Sequence, residues 1–255
     1  MISESANEIR RRRHAESFGS AAAEYERGRP SYPRTAIEWL LPSRATSAVD
    51  LGAGTGQLTR QLASYDLDVV AVESSADMRK ILSRTLPSKM RSVAGQAEKI
   101  PLPDSSVDVV LVAQAWHWVD GELAVPEVAR ILKPGGQLGL VWNIRDERTD
   151  WVAALGQIMH DGSEQEMNSD NPIVGTPFGP IERFDVEWIA HLDQDTVVDL
   201  VASRSYVITR PEAQRLALLD AVRELLNTHP QVKDSTSVAM PYVTRCSRTQ
   251  LPKLF

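Results

Sequence analysis

Cysteine is nearly missing from this chain of 255 residues: Cys246 stands alone, so no internal disulfide and no cysteine-rich zinc site can form. No run of about 18 apolar residues occurs, which leaves no candidate for a membrane-spanning helix and argues against a membrane partner. The opening MISESANEIRRRRHAESFGS lacks the apolar stretch of a secretory leader, so a cytoplasmic location is expected. Positive charge is in short supply: Lys+Arg 28 against Asp+Glu 34 gives a net charge of −6, which disfavours a nucleic-acid partner. The run Arg10–Arg13 is a local exception, read as a solvated helix face or a frayed tail. Internal repeats and low-complexity tracts are absent too.

A hydrophobic fraction of 42% is enough for a substantial core. Over residues 46–142, apolar β-branched runs alternate with stretches of helical spacing. The strand-like runs are SAVDLG, LDVVAVE, MRSVAG, VDVVLVAQ and QLGLVW. Between them, TGQLTRQLASY and SADMRKILSRTL read as helices, the second capped by Ser75. ELAVPEVARILKPGG reads as a helix closed by Pro-Gly-Gly, with Pro126 at a kink or near the first turn. Strands apolar on both faces and separated by helices demand a parallel, doubly wound sheet covered on each side.

Past Trp142 the rhythm changes. ERTDWVAALGQIMHDG predicts a helix, EQEMNSDNPIVGTPFGPIE a long irregular insertion, and FDVEWIAHL a strand. QDTVVDLVASRSY and TRPEAQRLALLDAVRELLN predict two helices, the second opened by a Thr209–Glu212 capping box. SVAMPYVTRCSR predicts a last strand at the sheet's edge, where Pro241 is tolerable.

The sharpest local signal is VDLGAGTGQLTR at 49–60, with Gly52, Gly54 and Gly56 on alternate positions after an apolar run. Such spacing removes side chains where a chain turns sharply and another group must touch its backbone. A phosphate-binding P-loop is rejected, because Gln57 follows Gly56 and no lysine is near. A dinucleotide loop wants a third glycine where Gln57 stands, which leaves a nicotinamide-dependent oxidoreductase as an alternative only.

VDLGAGTGQLT resembles the first motif of class I methyltransferases that use S-adenosylmethionine. The likeness continues through Glu73 after the second strand, GQAEKIPLPDSSVD after the third, AQAWHWVD after the fourth, and ILKPGG before the fifth. It implies a mostly parallel seven-stranded α/β sheet with helices on both faces. It also implies one domain: a helical lid over 1–40, a cofactor core over 46–142, and an acceptor-side insertion with C-terminal strands over 143–255. S-adenosylmethionine is the implied cofactor. Asp50, Gly52, Ala53, Gly54 and Gly56 would form its loop, and Glu73, with Ser74 beside it, would offer two acceptors to the ribose hydroxyls. Gln96 would meet the adenine amine and the Ala97 N–H a ring nitrogen, although the family often carries an acid at the place of Gln96. Gln114 would face the methionine end, and Glu98 supports its loop.

A narrower likeness ties FGSAAAEYERGRPSYP, WHW and SRSYVITRPEAQ to the trans-aconitate methyltransferase-like group. It implies that Arg29 meets the methionine carboxylate or an acidic substrate, and that Tyr25, Arg145, Ser205 and Tyr206 line the acceptor side. A sulfonium is already an activated methyl donor, so alignment supplies on the order of 7–11 kcal/mol of the barrier. No metal is expected. His117 is a candidate base or a wall of the cavity with Trp116 and Trp118. If extended, those two tryptophans point different ways, one into packing and one into the pocket. The expected reaction is methyl transfer to a small-molecule acceptor at oxygen, a carboxylate favoured, in a monomer or homodimer. A non-catalytic cofactor-binding protein is the second alternative.

Overall fold

The computed structural model describes residues 29–159 and 172–253. After α1 (Arg34–Leu40) come β1 (Ser47–Leu51), α2 (Gln57–Leu62), β2 (Asp68–Glu73), α3 (Ala76–Thr85), β3 (Arg91–Ala94) and β4 (Val107–Ala113). Then follow α4 (Gly121–Ile131), β5 (Leu132–Arg145), α5 (Asp150–Met159), β6 (Glu182–Leu192), α6 (Gln194–Ala202), α7 (Ser205–Ile208), α8 (Glu212–Thr228) and β7 (Val238–Gln250). The seven strands are ordered β3-β2-β1-β4-β5-β7-β6. β1 pairs in parallel with β2 and β4, β2 with β3, and β4 with β5. The order therefore reverses between β1 and β4, the place where open α/β sheets bind ligands. No helix among the described residues is long and apolar enough to cross a membrane.

The chain divides into two compact units. The core unit is Ser31–Asn143 with Glu166–Val186 and Thr244–Phe255. Its interior gathers Leu40, Leu62, Val69, Leu111 and Val141, each at most 1% exposed. Burying each such side chain stabilises the fold by about 1.5–3 kcal/mol. The second unit is Met1–Pro30 with Ile144–Gln165 and Glu187–Val243. It packs Trp151, Leu155, Val197, Val201, Val222 and Tyr242 into a core of its own.

The structure differs from the sequence reading in several places. α4 ends at Ile131, because Leu132 turns extended and pairs opposite Val107; Lys133-Pro134-Gly135-Gly136 thus opens β5 instead of closing the helix. Pro126 lies inside α4 beyond its first turn, where it gives up a bond to the carbonyl one turn back. β7 runs between β5 and β6, so the edge belongs to β6. Pro241 is accommodated there with its carbonyl accepting the Asp146 N–H at 2.9 Å. α8 starts at Glu212 with Pro211 in the capping position and no side-chain cap, so the Thr209–Glu212 box does not form. Trp116–Trp118 is a single 3-10 turn, not an extended segment, which removes the alternation expected of its rings. Cys246 is buried, and burial pushes its thiol up to about 12, leaving it inert.

Candidate active site

Between β1 and α2 all three loop glycines are left-handed, with φ of 74° at Gly52, 58° at Gly54 and 95° at Gly56. A side chain would be strained at each. A Cβ on Gly56 would meet Leu82 Cδ1 at 2.5 Å, and one on Gly52 would meet Ala115 Cβ at 3.0 Å. Those two positions thus also answer to the protein's own packing. The turn is fixed from β2: the Val72 carbonyl accepts from the N–H groups of Gly52 at 2.8 Å and Ala53 at 3.1 Å.

Glu73 closes β2 and is 7% exposed. Its Oε2 accepts the Gly54 N–H at 2.9 Å, and its Oε1 accepts the Ser75 N–H at 2.7 Å and the Ser74 hydroxyl at 3.4 Å. A carboxylate has about four lone-pair sites, so Oε2 keeps one for a further donor. Asp50, fully buried on β1, accepts the Thr59 hydroxyl on Oδ2 at 2.5 Å, while its Oδ1 is buried with no partner. Burial pushes the Asp50 carboxyl up to about 7; the Thr59 bond opposes that shift and the nearby Glu73 charge adds to it.

Gln114, just past β4, is left-handed at φ 59°, a strained conformation for a side chain of its size. Its N–H donates to the Val141 carbonyl at 2.9 Å and its amide to the Asn143 carbonyl at 3.2 Å, while its Oε1 is buried with no partner. Asn143 also donates to the Ser31 carbonyl at 3.1 Å and accepts the Thr244 hydroxyl at 2.6 Å, which fixes the position from which Gln114 is held. Ala97 is buried and Gln96 exposed in the turn after β3. Glu98 braces that turn by accepting the Asp120 N–H at 2.8 Å. Trp116 is buried and donates its indole N–H to the Ile173 carbonyl at 3.1 Å, so it is the packing tryptophan of the pair. Half-buried Trp118 lies against His117, with ring centroids 4.7 Å apart.

The second unit holds the remaining candidates. Arg29 donates to the Ser203 carbonyl at 3.4 Å. Half-buried Arg145 ends β5, and half-buried Tyr206 packs against the unit's apolar core. Ser205 opens α7, with its side chain outside the description; Tyr25 and Phe18 also lie outside the described residues. Sequence reasoning missed Arg204 and Tyr242. Arg204 sits directly before the two α7 residues singled out, and the charge of its guanidinium next to them was the signal available.

The comparisons with known proteins agree with one another. Residues 49–140 match a family model described as a methyltransferase domain. An uncharacterized methyltransferase of Mycobacterium tuberculosis is 54% identical over 235 residues, covering 92% of this chain and 96% of that protein. A solved chain from Anaeromyxobacter dehalogenans, provisionally assigned as a type II methyltransferase, shares the fold with a TM-score of 0.62 at 20% identity, covering 89% of this chain and 99% of its own. A phosphoethanolamine N-methyltransferase of Haemonchus contortus in complex with S-adenosyl-L-methionine has a TM-score of 0.50 at 15% identity, covering 86% of this chain and 52% of its own.

Proposed function

Because the chain belongs to the S-adenosylmethionine-dependent methyltransferases, we propose that it methylates an oxygen of a small organic acid, with a carboxylate as the favoured acceptor. The cofactor, when bound, supplies a methyl group already activated on a sulfonium. The residues of the core unit fit it. Its ammonium, ribose hydroxyls and adenine amine are donors, and the loop offers buried acceptors at Asp50 Oδ1, Gln114 Oε1 and the open site on Glu73 Oε2. In this reading Glu73 holds the ribose, Gly52–Gly56 lets the chain approach without side chains, and Gln96 and Ala97 meet the adenine.

The observation that carries the acid acceptor is Arg145. It makes no ion pair with any described residue, although an aspartate follows it in sequence. Asp146 is held instead by Arg148, through contacts of 2.8 Å to Oδ1 and of 2.9 and 2.5 Å to Oδ2. A half-buried guanidinium left without its neighbouring acid draws an anionic substrate. Where the reacting oxygen belongs to a further carboxylate of such an acid, it is ionised at neutral pH, so no residue need remove a proton and His117 serves as a wall beside Trp118. The likeness of SRSYVITRPEAQ to the trans-aconitate methyltransferase-like group supports the same class. Methyl transfer to a panel of small acids, phenols and amines, read by mass spectrometry of the products, tests it. Methyl esters are expected, and transfer to amines alone overturns the acid reading.

A further inference from the structure

Arg204 follows α6 by two residues, held there by its N–H to the Val201 carbonyl at 3.0 Å. Its Nε is buried with no hydrogen-bond partner, and no carboxylate among the described residues pairs with it. Burial and the neighbouring charges of Arg29 and Arg145 hold its guanidinium well below the ordinary arginine range. The same three cations act on Tyr242. That side chain is 1% exposed, with its ring stacked on Trp188 at 5.2 Å and its hydroxyl buried without a partner. The backbone brings these groups together. Arg29 reaches the Ser203 carbonyl beside Arg204, and the Asp146 N–H to Pro241 carbonyl bond fixes Arg145 next to Tyr242.

A fold gains nothing by drawing like charges partly out of water without a counter-charge, since nothing in the protein offsets their desolvation. Asp146, which follows Arg145, is taken by Arg148, and so is Glu187 at 2.7 Å. Two charged Nε donors, on Arg145 and Arg204, and one neutral hydroxyl therefore await acceptors.

We propose that Arg145, Arg204 and the Tyr242 hydroxyl form a binding site for an anionic group of the methyl acceptor, and that this group is an anchor distinct from the oxygen that receives the methyl. The distinction follows from the donors. A carboxylate or phosphate clasped by guanidiniums has its charge neutralised and its lone pairs engaged, which makes it a poor nucleophile. The acceptor thus carries an acid group for holding and a separate oxygen for reaction. The anchor rests on the proposed acceptor chemistry only for the identity of the molecule that brings it; the site itself stands on the arginines and the tyrosine.

The test uses succinate and inorganic phosphate, each titrated calorimetrically into the full-length chain in the presence of S-adenosylhomocysteine. One saturable anion per chain is expected. Arg204→Gln should weaken it by at least about tenfold and Tyr242→Phe by about threefold, as losses of a charge-assisted and a neutral hydrogen bond. Neither variant should change the affinity for S-adenosylhomocysteine. Preference for succinate marks a carboxylate anchor, and preference for phosphate a phosphoryl one. Ligand-free Arg204→Gln should also melt at a higher temperature than the parent, because a half-buried charge whose Nε has no partner has been removed. If neither probe saturates, or Arg204→Gln binds as tightly as the parent, the site is wrong. A chain that binds succinate through Arg204 but methylates only amines keeps this site and loses the acid acceptor; one that forms methyl esters indifferent to Arg204 does the reverse.

Discussion

In the core unit a carboxylate, Asp50, keeps a buried atom without a hydrogen-bond partner; in the second unit guanidiniums do so, Arg145 and Arg204 among them. Both units also hold charges that are closely matched. Glu73 takes the N–H groups of Gly54 and Ser75, and Arg148 takes Asp146 and Glu187. The open positions on Asp50 and on the two arginines are opposite in sign. Unmatched acceptors suit a ligand rich in donors and bearing a cation, and unmatched cationic donors suit an anion. In the proposed reading one chain thus carries complementary vacancies for a sulfonium cofactor and an acidic acceptor.

The strongest way to break that contrast is at Glu73. Glu73→Gln keeps one acceptor oxygen for Gly54 or Ser75 and removes the charge. Affinity for S-adenosylhomocysteine should fall about 10–100-fold, the effect of losing charge-assisted hydrogen bonds in a buried setting. Succinate binding should stay within about twofold of the parent, since residues of separate units with no shared partner behave additively. Calorimetry on both ligands reads the two effects together. A parallel loss of both would show that the vacancies are not separate.

How far each vacancy was legible in the sequence follows from the same contrast. The glycine loop and Glu73 depend on local chain geometry. Alternate glycines need left-handed φ and could be placed from spacing, while Glu73, at the end of an apolar run, was placed by the resemblance to the methyltransferase family. The same resemblance placed Gln114 but not its left-handed φ, which comes from the Val141 and Asn143 carbonyls on another strand. Arg204 and Tyr242 are brought together by packing between α6 and β7, and no sequence period relates a residue after a helix to one on a distant strand. The misplaced edge has the same origin. Pro241 is allowed at an edge by local rules, yet the order of β6 and β7 is decided by which strand the chain lays down against β5. Pro-Gly-Gly reads as a helix stop, and it took the pairing of Leu132 with Val107 to make it a strand.

A second and smaller effect sharpens the core side of the comparison. The Asp50 carboxyl, pushed up to about 7 by burial, binds a proton in the folded chain at pH values where the unfolded chain has lost it. Stability from this group is therefore greatest in acid and falls as pH rises from the ordinary carboxylate range through 7. Asp50→Asn cannot ionise. Without cofactor, its stability relative to the parent should improve by about 3 kcal/mol between pH 5 and pH 8, from the 1.36 kcal/mol carried by each of the two pKa units between 5 and 7. Urea unfolding at the two pH values checks it, and parallel profiles would mean that Asp50 finds a counter-ion in the free protein.

The smallest effect on stability should come from Arg148, and it bears on the other vacancy. Its guanidinium is exposed, with its side chain 69% accessible, so Arg148→Gln should leave unfolding almost unchanged. It would, however, release the Asp146 carboxylate from its clamp beside Arg145. An aspartate so freed can turn to the adjacent guanidinium and compete with an incoming anion, at a strength about that of one exposed ion pair. Succinate affinity should therefore fall by about two- to fivefold while the melting temperature barely moves. If Arg148→Gln leaves succinate binding untouched, Asp146 is not what keeps Arg145 open, and the opposition in sign between the two units would owe nothing to the pairing of Asp146 with Arg148.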